Sequence, residues 1–134
     1  MTEKLEVGQT CEIEKRVTAE MTAAHFGNPG VEVFATPVLI ALLEQACIQC
    51  IVPTLEDGQG SAGTRVDIQH LAATPVGMKV VARAELTEVD GRRLVFKVEA
   101  RDEREQIAEG LHERFVIGSM AKFLGRAAEK MNTG

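Results

Sequence analysis

The chain has 134 residues, 45% of them hydrophobic and 26% charged, with a net charge of −5. That length predicts a single domain, 1–134, with one real core. The acidic balance argues against a general nucleic-acid or membrane-surface binder, and with no Trp or Tyr stacking on nucleic-acid bases is poorly supported.

No run of 18 apolar residues lacks polar interruption, so no transmembrane span is predicted, and MTEKLEVGQT holds no apolar signal core. Three cysteines without framework spacing point to a reducing, cytoplasmic setting.

In chain order, residues 5–17 alternate loosely and read as an edge strand, and 18–26 as a short helical turn. Residues 27–33, GNPGVEV, read as a loop that could serve as a mobile lid. The stretch FATPVLIALLEQACIQCIVP follows, and predicts a helix after Thr36, with Thr36 as N-cap and Pro37 in the first position. On a helical wheel this segment is apolar nearly all round, the pattern of a buried helix. Residues 54–63, TLEDGQGSAG, read as a Gly-rich turn and lack the phosphate-loop pattern. From there the period changes to two. Strands are predicted over 64–72, 78–89, 92–102 and 106–118, with a hairpin at Asp90-Gly91, and an amphipathic helix over 119–130. A single antiparallel sheet covers one side of the central helix, so its remaining apolar surface asks for a second copy of the chain.

Two titratable residues stand on otherwise apolar faces. Glu44 falls among Ile40, Ala41, Ile48 and Ile51. An unpaired buried carboxylate costs several kcal/mol or takes up a proton, so Glu44 is paired or used. His70 continues the face of Val66 and Ile68, which should look toward the helix. The two could converge, as a base activating water, as a nucleophile with its partner, or as a structural hydrogen bond. Thr36 reads as a cap or as a catalytic hydroxyl. It lies roughly 12 Å from Glu44 along the helix, so the two can act together only through substrate, through water or across a dimer. Gly63 and the helix N-terminus offer backbone N–H groups for an oxyanion, or Gly63 simply marks a bend. Cys47 and Cys50 stand too late in the helix for a redox motif and read as buried small hydrophobes, and Cys11 has no partner in sequence. With three histidines and no acidic cluster at ligand spacing, no metal site is predicted. Arg114 shares a strand face with His112, opposite Glu113, and reads as an anion ligand or an ion-pair partner. Lys122 and Arg126 stand at i and i+4, as solvated surface or as positive charge near an anionic ligand.

The segments VFAT, LLEQAC, GQGSAGTRV, QHLAATPVG, EVDGRRL and EGLHERFVI together resemble the fluoroacetyl-CoA thioesterase family over about residues 5–125. The resemblance implies an α+β hot-dog fold, a curved antiparallel sheet wrapped around a long central helix. It also implies hydrolysis of an acyl-CoA thioester with no metal or other cofactor beyond the CoA of the substrate. The family's catalytic threonine, glutamate and histidine fall on Thr36, Glu44 and His70. Its carbonyl-holding glycine falls on Gly63, and its CoA-side arginine on Arg114. Phenylalanines that form a lid in the fluoroacetyl-specific members are matched here by glycines, with Phe26, Gly30 and Phe34 as the lid candidates. That departure implies a different small or medium acyl group. The expected partners are an acyl-CoA and a second copy, in a dimer or a dimer of dimers, without nucleic acid or membrane. The competing expectations are a non-catalytic acyl-CoA-binding module and a hydratase on enoyl thioesters, though no closely spaced Asp–His pair supports the latter.

Overall fold

The computed structural model describes residues 4–132. Five strands form one antiparallel sheet: β1 (Thr10–Arg16), β2 (Gly60–His70), β3 (Lys79–Asp90), β4 (Arg93–Arg101) and β5 (Gln106–Ile117), in the order β1-β3-β4-β5-β2. The helix α1 (Thr36–Ile51) lies against this sheet, and a second helix, α2 (Met120–Ala128), follows β5. The period-two segments became strands because one face of each is apolar. Val80, Ala82, Ala84 and Leu86 of β3 and Leu94, Phe96, Val98 and Ala100 of β4 are all buried against the helix. From α1 they receive Leu39, Leu42, Leu43, Ala46, Cys47, Cys50 and Ile51.

The segment Thr36–Thr54 is long and apolar enough to cross a bilayer, with mean hydropathy 1.5; in the fold it is the central helix, packed on the sheet. Two expectations change. The Gly-rich stretch is not all turn, because β2 starts at Gly60 and runs through Gly63. A Cβ at Gly60 would stand 2.6 Å from Met120 Sδ, and one at Gly63 2.7 Å from Glu44 Oε2. Those glycines are there for what packs over them, not for a bend. Finally, Cys50 is buried as expected but is not a lone small hydrophobe. It forms a disulfide with Cys11, tying β1 to the end of α1 with Cα atoms 5.8 Å apart. Sequence spacing could not show a pair formed between a strand and the helix packed on it.

Cys47 stays free and buried, and burial pushes its thiol up to about 12. Closing the Cys11–Cys50 loop, a sequence separation of 39, contributes about 4 kcal/mol in the chain-entropy picture. Protein purified without reductant and then denatured should take up one equivalent of an alkylating reagent, and three after reduction. Three before reduction would mean that Cys11 and Cys50 are not joined.

Candidate active site

The segment before α1 is stitched to the turn after β2. Val33 bridges Pro75, and Phe34 N–H donates to the Thr74 carbonyl at 2.8 Å. The Thr74 side chain is in turn fixed on Asp102 at 2.8 Å. This brings the first residue of α1 to the last residue of β2, and Thr36 Oγ1 lies 2.8 Å from His70 Nδ1. Thr36 is therefore not the helix cap. Ala35 occupies that position, without a side-chain cap bond. Pro37 has no N–H, and those of Thr36 and Val38 find no acceptor among the described residues, so the helix begins with open donors beside the pair. His70 Nε2 is buried without a hydrogen bond, and burial holds the imidazole below its ordinary 6.5. With the imidazole proton on Nε2 the Thr36 hydroxyl donates to Nδ1; with it on Nδ1 the ring donates to Thr36 Oγ1.

The pair opens on a groove of about 380 Å³ whose walls include Ala23, Val31, Val33, Ala72 and Ala73. The loop expected to act as a lid is tied at its base, with Ala23 N–H donating to the Val33 carbonyl and Ala24 N–H to that of Val31. Of the lid candidates, Phe34 is 1% exposed and forms part of the core beneath the groove. Phe26 is 56% exposed and meets His25 edge to face, away from the groove walls. Gly27 and Gly30 have φ of +97° and +80°, where L side chains are rare. The loop tip is therefore built for glycine, and no aromatic ring from it covers the groove.

Glu44 does not meet His70 within the chain. Its Oε2 lies 3.1 Å from Arg114 Nη1, over Gly63. Arg114 is buried. Its Nε donates to Ser61 Oγ and its Nη2 to the Ser61 carbonyl, both at 3.1 Å, and Nη1 also donates to His112 Nε2 at 3.2 Å. Arg114, expected on the CoA side, clamps Glu44 within the chain. His112, not foreseen as part of a site, is its neighbour. An arginine only donates and a carbonyl only accepts, so the tautomer of His112 is settled: Nδ1–H donates to the Arg65 carbonyl at 2.9 Å and Nε2 is the acceptor. The 3.5 Å approach of His112 Nε2 to Glu44 Oε2 is thus two acceptors sharing one arginine, not a salt bridge. Glu44 Oε1 makes no hydrogen bond among the described residues, and the side chain is 34% exposed. One oxygen is tethered and the other is open, the arrangement of a carboxylate that can take a proton from water or attack a carbonyl. Among the described residues no metal-binding cluster of His, Cys, Asp or Glu occurs.

The five sequence-predicted residues therefore fall into two half-sites, Thr36 with His70, and Glu44 with Arg114 and Gly63. The strand parity of His112 and Arg114 was the available signal for the second. What it lacked was the height at which Glu44 meets them.

A family model described as fluoroacetyl-CoA-specific thioesterase matches residues 17–120. A curated relative from Streptantibioticus cattleyicolor, a fluoroacetyl-CoA thioesterase, is 45% identical over 103 residues, 77% of this chain and 73% of the relative. The solved structure of the fluoroacetyl-CoA thioesterase FlK is 38% identical, with a TM-score of 0.90 covering 96% of this chain and 98% of that one. A thioesterase-superfamily protein from Thermus thermophilus is 30% identical, with a TM-score of 0.87 over 98% of both chains. A hot-dog-like protein from Thermanaerovibrio acidaminovorans is 26% identical, with a TM-score of 0.85 over 92% of this chain and 91% of that one. The α+β hot-dog architecture expected from the sequence is the observed one.

Burial holds His112 below the ordinary 6.5, against the Arg65 carbonyl and Glu44, which favour its charged form. An unfolded histidine takes up a proton near 6.5, while the folded one resists until lower pH. The stability that neutral His112 contributes is present above that value and is lost as pH falls through it. Burial gives His70 the same sign. The Tm should therefore fall as pH drops below about 6.5, and His112→Gln should flatten part of that slope. An unchanged slope in the variant would contradict the neutral assignment.

Proposed function

The chain belongs to the fluoroacetyl-CoA-specific thioesterase family and is an acyl-CoA thioester hydrolase of that line. From that premise we propose that it hydrolyses small to medium acyl-CoA thioesters without singling out fluoroacetyl-CoA, on a site shared by two subunits. The observation that carries the chemistry is the Thr36–His70 hydrogen bond at the mouth of a groove lined by Val31, Val33, Ala72 and Ala73, with Phe34 at its base and Leu71 at its side. The absence of a ring over that groove carries the breadth of substrate. In this reading the acyl group sits in the groove. Glu44 activates water as a base, or attacks the carbonyl itself, and His70 carries the proton to the departing CoA sulfur. Thr36 holds the substrate or water, and Gly63 N–H faces the oxyanion. Water and RCO–S–CoA give RCOOH and CoA–SH.

Three features support the shared site. First, β2 is an 11-residue edge strand that pairs only with β5 among the described residues, and such an edge invites a partner. Second, Val66 stands 43% exposed on it, and α1 leaves Ile40, Ala41, Ile48 and Glu44 incompletely covered. Third, two β2 strands running antiparallel about Val66 set Arg65 opposite Asp67 of the second copy, twice over. Opposite charges facing across strands are favourable. The same register brings Gly63, with Glu44 above it, to within about a residue of Gln69 in the second copy, beside His70. The half-sites that one chain keeps apart would then meet. The compartment we propose is the cytoplasm, where reduction would leave Cys11 and Cys50 as adjacent thiols.

Thiol release over a series of acyl-CoAs, from acetyl and fluoroacetyl to phenylacetyl, tests the activity. Glu44→Gln keeps the shape and removes the carboxylate, and should lower kcat/KM by about a hundredfold or more. A loss under about tenfold would remove Glu44 from the chemistry. CoA ligands that raise Tm without any turnover would make the chain a binding module instead.

Val66→Lys would set two ammonium groups at the dimer axis. It should convert the protein to monomers by sedimentation and abolish turnover together. A monomer with wild-type turnover would contradict the shared site.

A further inference from the structure

With Arg114 buried on Glu44, the known half-sites offer no cation to the charged end of CoA. The molecule carries such cations elsewhere. Beyond the end of β5, a groove of about 570 Å³ is lined by Arg92 from the β3–β4 turn, by Phe115 and Gly118, and by Lys122, Phe123 and Arg126 of α2. No acidic side chain lines it, in a chain where 20 acids outnumber 15 Lys and Arg. None of the three cations is in a salt bridge among the described residues, whereas Arg65, Arg83, Arg93 and Arg114 all are. Phe115 and Phe123 are 43% and 46% exposed at the same place.

The cluster is built rather than scattered. Lys122 and Arg126 stand one helical turn apart, on one side of α2. Arg92 is anchored by its own carbonyl, which accepts from Val116 N–H at 2.9 Å. Its guanidinium folds over Gly118, where a Cβ would meet Nη2 at 2.9 Å. Three converging cations suit two or three phosphates, since guanidinium groups bind phosphate oxygens in pairs. Half-exposed rings beside them suit a planar base, by stacking.

The place along the strand also fits. Arg114, which pairs across to Gly63, and Ile117, at the groove, are three residues apart on β5, about 10 Å. An extended pantetheine arm spans more than that. From a thioester at Gly63, the acyl group would lead toward the Thr36–His70 groove of the second copy, and the arm would lead the other way, to Arg92.

We propose that this groove binds the 3′-phosphorylated adenosine diphosphate end of the CoA substrate. The inference rests on the thioesterase reading. It assigns Arg92, Lys122 and Arg126 to the phosphates and Phe115 and Phe123 to the adenine.

The test compares an acyl-CoA with the same acyl group on pantetheine, which lacks the nucleotide, in wild type and in Lys122→Ala/Arg126→Ala. Both residues are exposed, so folding should survive. The double variant should raise KM for the acyl-CoA by about tenfold or more with little change in kcat. The loss on acyl-CoA should exceed any loss on acyl-pantetheine by about that factor. Equal losses on the two substrates, or no loss on either, would overturn the groove assignment and leave the hydrolase reading standing. Titration calorimetry with adenosine 3′,5′-bisphosphate separates the two ideas from the other side. Wild-type binding that weakens in the double variant supports the groove even if no thioester is turned over, the result that would sink the hydrolase reading. No binding by wild type would overturn the groove.

Discussion

One buried guanidinium organises the reactive half of the molecule. Arg114 reaches from β5 across to Ser61 of β2 and up to Glu44 of α1, and it shares its Nη1 with His112. A guanidinium away from water is tolerable only where its donors are met, and four of its five N–H groups are. The consequences run outward. The carboxylate of Glu44 is held by one oxygen. A Cβ at residue 63 would press on Glu44 Oε2 and crowd Arg114 Nη1, so any larger residue there would shift the clamp. The tautomer of His112 is set, and with it the link to the β2 backbone at Arg65. On the outer face of the same strands Glu113 closes a second network with Arg93 and Arg65, at 2.8 and 3.1 Å. The β2–β5 pair is thus pinned on both faces where the strand carries its bulge, between Gly63 and Arg65.

The same clamp explains why Glu44 and His70 do not meet within one chain. Glu44 is anchored over Gly63, and His70 is anchored on Thr36 at the far end of β2. The helix and the strand each carry one member of each half-site, so the halves are held apart along both elements. An edge strand with a self-complementary Arg-x-Asp pattern supplies a way to join them by symmetry. In the proposed dimer the acyl groove and the basic groove would lie at opposite ends of one path, with the thioester between them. Affinity for the nucleotide end would hold the substrate while the short acyl end fills the groove beside Thr36 and His70.

Much of this was legible beforehand, for physical reasons. Period two in β3 and β4 and the all-round apolar wheel of α1 gave the elements and their faces, because burial leaves a direct imprint on residue order. Glu44 and His70 stood out because a titratable group on an apolar face needs a partner. The partners themselves were less legible. A wheel gives the face of a residue but not its height, so Glu44 was matched to His70 when Arg114, 70 residues away, stands opposite it. Thr36 read as a cap because a threonine before a helical proline is a good one; a tertiary contact with His70 outweighed that local preference. Gly60 and Gly63 read as a bend because glycine has two uses, freedom of backbone and absence of a side chain, and only packing tells them apart. The Cys11–Cys50 pair depends on β1 crossing the end of α1, which no spacing encodes.

The central claim is that a working site takes Thr36 and His70 from one subunit and Glu44 from the other. Subunits carrying His70→Ala and subunits carrying Glu44→Gln, each inactive alone, can be refolded together and assayed for thiol release from an acyl-CoA. In a mixed dimer one of the two shared sites regains all three residues. A statistical mixture should therefore recover about a quarter of wild-type activity. If each site lay within a single chain, every site in the mixture would still lack a residue, and the absence of any recovery would contradict the account.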